Sequence, residues 1–268
     1  MRILYLHRCV GENSEKLLSR FIHSLNCQSL SFSENCILQV VVKGPKQIDW
    51  VALEHNLTLS SVYVCDPIQV PDDGYDIAAY ARASRLMSDR VTLYLNSFSR
   101  FSSPKSLSIM NDSWDNVCSS SLLGCSGAMG RYSRYKLQVG ILDKHKTAPF
   151  QSWLIYLRSM LREHANPHVR TNGFIAHSDK IAEYFAARKF PQTKLECYEV
   201  ESGSESLTNF FEQKYLLSLN GIHPLEQPVK GGFRRNSQEN LLVLDNQTDH
   251  YDSASWINKK LLSMRSYI

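Results

Sequence analysis

The chain of 268 residues has seven cysteines but no Cys-x-x-Cys pair. An odd, scattered set of thiols gives neither zinc-ligand spacing nor an even disulfide framework, and it fits a reducing compartment. No apolar run approaches the length of a membrane span; the longest covers residues 37–42. The first residues lack the apolar region and cleavage site of a secretory signal. The expectation is therefore a soluble, cytoplasmic protein with no transmembrane segment. Excess charge is also missing: 30 Lys and Arg stand against 26 Asp and Glu, a formal net of +4. That balance favours an anionic small ligand and argues against nucleic acid as a partner. There is no Gly-x-Gly-x-x-Gly after the first strand pattern, no Gly-x-x-x-x-Gly-Lys-Ser/Thr and no Gly-x-Ser-x-Gly. These absences weaken the dinucleotide and hydrolase readings and remove the P-loop one.

What is present is ordinary globular material, 43% hydrophobic and 21% charged. Its first half alternates β-type and α-type patterns. Strands are predicted at 3–6, 37–42, 61–65 and 91–95. Helices are predicted from Asn13 or Ser14 with an apolar face of Leu17, Leu18, Phe21, Ile22 and Leu25, around 48–55, from Asp76 to 87, and after Ser103-Pro104. This order implies an α/β fold, an open and mostly parallel sheet with helices on both faces. Further on, 119–133 reads as Ser- and Gly-rich loops with a helix end, 150–162 as amphipathic, and 173–176 as a strand. Helices are predicted from Ser178 through 187, over 206–219 with a stop at Asn220-Gly221, and near 255–264, with a short strand at 241–244. The composition shift near 220 suggests one domain over 1–220 and a C-terminal extension over 221–268 that packs on or closes over the site.

In such a sheet the ligand lies beyond the carboxyl ends of the strands. The residues there are His7, Arg8 and Cys9, then Lys43 and Gly44, then Asp66, then Asn96, Ser97, Phe98 and Ser99. Asp76 and Tyr80 stand one helical turn apart on one face. Asp76 can bind a sugar or ribose hydroxyl, or simply cap its helix.

The stretch from Gly74 through Ala83, followed by a strand running into Asn96-Ser97-Phe98-Ser99, resembles the nucleotide-diphosphate-sugar glycosyltransferases of GT-A type. The likeness is to family-2-like enzymes and rhamnosyltransferase or polysaccharide-biosynthesis relatives, and it covers roughly residues 1–220. It implies a nucleotide-sugar donor such as a UDP-sugar, a glycan or other hydroxyl acceptor, and transfer by inversion. It assigns His7, Arg8, Lys43, Asp76, Tyr80, Asn96, Ser97, Ser99 and Arg131 to the nucleotide and donor side. It assigns His168 and Arg170 to the acceptor side.

Where the resembling enzymes carry Asp-x-Asp, this chain has Asn96-Ser97-Phe98-Ser99. Mn²⁺ or Mg²⁺ on a diphosphate needs hard anionic oxygens, and Asn and Ser are neutral. The metal is therefore left open, with Asp66 or Asp245 as the carboxylates in reserve. Arg8, Lys43, Arg100 and Arg131 can hold the diphosphate charge instead. A plain strand-ending turn is the simpler reading of Asn96-Ser97.

Glu199, Glu201 and Glu205 precede the helix predicted at Ser206. The resembling enzymes place a general base at such a helix start, which implies that role for Glu201. Favourable electrostatics at a helix start is the plain alternative. A basic pair, Arg234-Arg235, and the run Asp245-Asn246-Gln247-Thr248 suit a loop over phosphate and sugar, or a solvated surface loop. Two other readings stand beside the enzyme: a non-catalytic nucleotide- or glycan-binding α/β protein that lost its metal motif, and a nucleotidyltransferase.

Overall fold

The structure is a computed structural model and describes residues 1–9, 13–30, 35–45, 53, 55–87, 90–130, 166–225 and 240–246. The helix expected over 48–55 and the segments 150–162 and 255–264 lie wholly or largely outside these residues, as does Arg131.

Strand β1 (Arg2–Arg8) is apolar on both sides. Its alternation sends Ile3 and Tyr5 into one core and Leu4 and Leu6 into the other, as a strand covered on both faces requires. Helix α1 (Ser14–Asn26) lays Leu18, Phe21, Ile22 and Leu25 on the first core. Strands β2 (Cys36–Lys43) and β3 (Val62–Val70) follow, both parallel, with β2 beside β1 and β3 outside it. Helix α2 (Tyr75–Leu86) crosses the other face through Ile77, Tyr80, Ala81 and Ala83. Strand β4 (Val91–Leu95) then returns to the far side of β1, also parallel. Chain order thus reverses at β1, where parallel sheets open a crevice for ligands.

The chain continues through β5 (Arg100–Phe101), α3 (Ser106–Asp115), β6 (Ser121–Gly124), β7 (Gly127–Gly130), β8 (Asn166–Val169), β9 (Gly173–His177) and α4 (Ser178–Tyr184). Helices α5 (Lys194–Ser202) and α6 (Leu207–Phe210) precede β10 (Gln213–Ser218), β11 (Gly221–Pro224) and β12 (Val243–Leu244). The main sheet has the order β11-β10-β6-β9-β4-β1-β2-β3, and two small pairs, β5 with β12 and β7 with β8, stand apart from it. Only β9 and β11 run antiparallel to their neighbours. Leu107, Met110 and Trp114 of α3 join the core of α1; Ile181 and Tyr184 of α4 join that of α2. The α/β class, the mostly parallel sheet and the helices on both faces are as the sequence implies.

Several local expectations are corrected. The helix expected over 206–219 is one short turn, α6, followed by strand β10. Asn220-Gly221, read as a helix stop, belongs to a hairpin: Ser218 pairs with Gly221, whose φ of 117° suits glycine. Leu216 and Leu217 are buried on opposite faces of the sheet, a period of two that their Leu-rich context hides. The Ser- and Gly-rich segment 119–133, expected as loops and a helix end, contains strands β6 and β7. Strand β3 runs on past Cys65 to Val70; as an edge strand it tolerates Pro67, next to a register shift between Gln39 and Val41.

Helix starts differ as well. Asp76 does not cap α2; Gly74 holds that position in left-handed geometry, at φ 58°. Ser178 opens α4 without capping it, and its hydroxyl accepts from the Arg90 N–H at 3.1 Å. That helix ends at Tyr184. Asn13 makes no side-chain cap to α1, and α3 begins at Ser106, after Ser103-Pro104. Residues 221–224 form the outer strand of the main sheet, and β12 pairs with β5.

Candidate functional site

At the carboxyl ends of β1 and β2, Arg8 grips Asp72 with two hydrogen bonds, 3.1 and 3.2 Å. Lys43 is buried, and its ammonium donates to the Tyr75 carbonyl at 2.7 Å and lies 3.7 Å from Asp72. Burial lowers the Lys43 pKa; the nearby charges of Asp76 and Asp72 oppose that shift. The bond to Tyr75 has a local purpose. Tyr75 is the one described non-glycine residue at positive φ, 55°, and it directly follows Gly74. Such a backbone persists only where its surroundings hold it.

His7, beside them, is buried, and its Nδ1 has no hydrogen-bond partner among the described residues. Desolvation lowers its pKa, so the ring is neutral at pH 7. A buried nitrogen without a partner costs about 1–3 kcal/mol, which a bound polar group would recover. Tyr80 presents a second orphan. Its ring packs edge-on against Tyr94 and Phe174, making it a core residue, yet its hydroxyl is buried without a partner among the described residues. Asp76, one turn earlier, is half-buried. Desolvation raises its pKa, Lys43 and Arg8 counter that rise, and the charge of Glu201 adds to it. Burial raises the Tyr80 phenol pKa, and the negative charges of Asp76 and Glu201 add to that rise.

Glu201 stands in the last turn of α5, not at a helix start. Its Oε1 accepts from the Thr171 N–H at 3.1 Å and from the Thr171 hydroxyl. Its carbonyl accepts from Thr208 Oγ1 at 3.2 Å, which ties α5 to α6. The Glu205 side chain is 85% exposed and 3.9 Å from Arg188, away from this arrangement.

The corner after β4 is a knot. Asn96 is buried, and its Oδ1 accepts from the Phe98 N–H at 3.1 Å and the Ser99 hydroxyl at 2.9 Å. The Ser99 hydroxyl also faces the Asn172 carbonyl at 2.8 Å. The Ser97 carbonyl accepts from the Tyr5 hydroxyl, fixing the corner to β1. Asn172 takes a bond from Ser126 at 2.8 Å and gives one to Asp245 at 2.5 Å. Arg170 lies 3.7 Å from the same Asp245 carboxylate. The segment 166–174, the Asn96 corner and the 240–246 segment thus meet in one network. His168 sits apart from solvent, buried on β8 and edge-on to Tyr198 at 5.8 Å.

These residues make a poor cradle for a divalent ion. The Asn96 oxygen is already shared by two donors, and Asp245 is held by an amide and an arginine. No group of three or more His, Cys, Asp or Glu able to hold a metal occurs among the described residues.

Asp72, Tyr75, Thr171 and Asn172 were not among the sequence's candidate site residues, and Asp245 entered as a reserve ligand and as part of a loop over phosphate and sugar. The available signal was the amides of 166–174 and 245–248, together with Asp245.

No protein-family model matches the chain, and no curated protein matches it. Solved structures similar to it include mouse xyloside xylosyltransferase 1 in its apo form, with 9% identity, 78% of this chain and 79% of that chain covered, and a TM-score of 0.45. Core-mannan synthase A from Aspergillus fumigatus, solved in an Mn/GDP form, shares 9% identity over 82% of this chain and 73% of that one, at 0.40. TarS from S. aureus, in complex with UDP-GlcNAc, shares 17% identity over 46% of this chain and 34% of that one, at 0.35. The chain thus spans about a third of the TarS chain. Likenesses at identities this low and TM-scores below 0.5 carry no weight for chemistry, which has to come from the chain's own residues.

Proposed function

We propose that this chain is a glycosyltransferase of the GT-A type that moves a sugar from a nucleotide-diphosphate donor to a hydroxyl acceptor with inversion. One observation carries the reading: at the carboxyl end of β1, beside the cations Arg8 and Lys43, the buried His7 Nδ1 has no hydrogen-bond partner among the described residues, and the buried Tyr80 hydroxyl of α2 has none either. Buried polar groups are paired in the large majority of cases, so two orphans here point to a polar ligand.

The orphaned His7 nitrogen is suited to a nucleobase or ribose group of the donor. Arg8 and Lys43 supply positive charge for the diphosphate, which would share them with Asp72. Glu201, oriented by Thr171 through one oxygen, takes the proton of the acceptor hydroxyl. The acceptor oxygen bonds to the anomeric carbon as the carbon–oxygen bond to the diphosphate breaks, and the nucleoside diphosphate leaves with the bonding pair.

The test is calorimetric binding of UDP and GDP, followed by release of nucleoside diphosphate from a panel of nucleotide sugars and saccharide acceptors. Binding at micromolar to millimolar concentration with turnover supports the reading. Binding without turnover on any pair would turn the chain into a nucleotide-binding module, and absence of binding would overturn both.

A further inference from the structure

The turn that leads into α2 is anchored at each residue from Asp72 to Tyr75. Asp72 is gripped by Arg8. Asp73 takes two bonds from Arg82, 2.5 and 2.9 Å, and the Arg82 guanidinium lies 4.6 Å from the centre of the Phe190 ring. Gly74 is walled in: a Cβ there would meet Ala78 at 2.5 Å, and Phe190 and Pro191 at 3.3 Å. Tyr75, at φ 55°, has its carbonyl bonded by the Lys43 ammonium at 2.7 Å. Surface loops are ordinarily the loose parts of a fold. This one is over-determined, the condition under which strained backbone persists, and such strain gathers at ligand clamps and active sites.

Tyr75 is the odd choice in the turn. Glycine adopts a positive φ freely, whereas a bulky side chain does so at a cost. The residue is 44% exposed, so packing in the core does not hold it there. Lys43 is its counterpart. The Lys43 side chain is 3% exposed, against 52% for Arg8, although both end their strands. Burying an ammonium is costly unless it is paired and hydrogen-bonded. A methionine would fill the same space without that cost; what only the ammonium adds is its charge and the bond to Tyr75.

We propose that Lys43 is a positioning residue of the donor site: by holding the Tyr75 carbonyl it keeps the 72–76 turn, with the Tyr75 ring and the Asp76 carboxyl, in the shape that receives the nucleotide. Resting on the glycosyltransferase reading, the role is one of preorganisation. A turn set beforehand spares the ligand the entropy loss of ordering it. Arg8, exposed at the end of β1, touches the diphosphate directly, while Lys43 adds its charge from beneath and acts through the turn.

The experiment compares four full-length chains: the parent, Lys43→Met, Tyr75→Gly and the double variant. UDP and GDP are titrated by calorimetry, and unfolding is followed in urea. Glycine needs no clamp at this φ. In the Tyr75 chain, Lys43→Met should weaken the bound nucleotide roughly tenfold or more. In the Tyr75→Gly chain the same change should cost about threefold less or better, because two residues that act through one element do not add. Equal costs in both backgrounds would overturn the proposal and leave Lys43 as a plain charge on the diphosphate. Undiminished nucleotide affinity in a folded Lys43→Met chain would overturn it as well. If Lys43→Met alone does not fold, a double variant that folds supports the clamp; failure of both to fold assigns Lys43 to the core and overturns it. A parent that binds neither nucleotide fails the glycosyltransferase reading, and the donor-site role falls with it. A parent that binds while the two changes add fails the positioning role alone.

Discussion

Glu201 and Thr171 are joined by two hydrogen bonds that end on a single carboxylate oxygen. The backbone N–H and the hydroxyl of Thr171 both donate to Oε1, and among the described residues Oε2 has no hydrogen-bond partner. A carboxylate held by one oxygen keeps the other for chemistry. The residue is also placed with care: α5 begins with a reciprocal cap between Thr193 and Glu196, and its end is tied to α6.

Glu201→Gln removes the proton acceptor while keeping the size of the side chain. It should lower kcat by about 10²–10⁴-fold with nucleotide affinity unchanged. Thr171→Val keeps the backbone bond and loses the hydroxyl; it should lower kcat less and leave the affinity alone. Glu205→Gln, at an exposed position, should match the parent. Normal turnover by Glu201→Gln would remove the residue from the mechanism.

Asp76 titrates high because burial disfavours its charge. A raised folded pKa means that the native state binds more protons than the unfolded chain, so this group's contribution is fully present below the unfolded carboxylate pKa and is lost as pH rises through the folded one. Asp76→Asn should therefore raise the melting temperature at pH 7, with the gain shrinking as pH falls through the carboxylate range. A variant no more stable than the parent at pH 7 would show that the attraction of Lys43 and Arg8 offsets the desolvation of Asp76.

Asn172→Ala strips a partner from both Ser126 and the buried Asp245. The expected loss is about 1–3 kcal/mol in urea unfolding. Combined with Asp245→Ala, the two losses should fall short of additivity, because they break the same bond. Simple addition would mean that the network is not one unit.

Gly74→Ala places a Cβ 2.5 Å from the Ala78 Cβ at a φ of 58°. The left-handed backbone alone costs an alanine about 1–2 kcal/mol. A fall in the urea midpoint at unchanged slope is expected, and a neutral result would mean that the turn before α2 can rearrange.

Turnover should survive EDTA. The Asn96 oxygen is engaged by its own turn, and Asp245 by Asn172. Loss of activity on chelation and its return with Mn²⁺ would require a ligand set drawn from beyond these residues.

Much of the framework was legible because the buried strands β1, β2 and β4 are short, β-branched or Leu-rich runs bounded by polar residues. Helix α1 was legible from the spacing of Leu18, Phe21, Ile22 and Leu25. Strand β10 was not, since Tyr215-Leu216-Leu217 before Asn-Gly reads equally as a helix end. The parallel pairing with β6, some ninety residues earlier, is what decides it. The site divides the same way. His7, Lys43 and Asn96 follow from strand ends. The partner of Glu201 is 30 residues away and that of Asn172 is 73, and no local period encodes such contacts.

Strand β3, with Pro67 inside it, forms one edge of the main sheet, and β11, ending at Pro224, forms the other. Proline has no N–H to offer an incoming strand. Each margin is therefore interrupted where another chain would need a continuous row of donors. Growth of the sheet by edge-to-edge addition is blocked at both ends, a safeguard against self-association that a long, flat, apolar edge would lack.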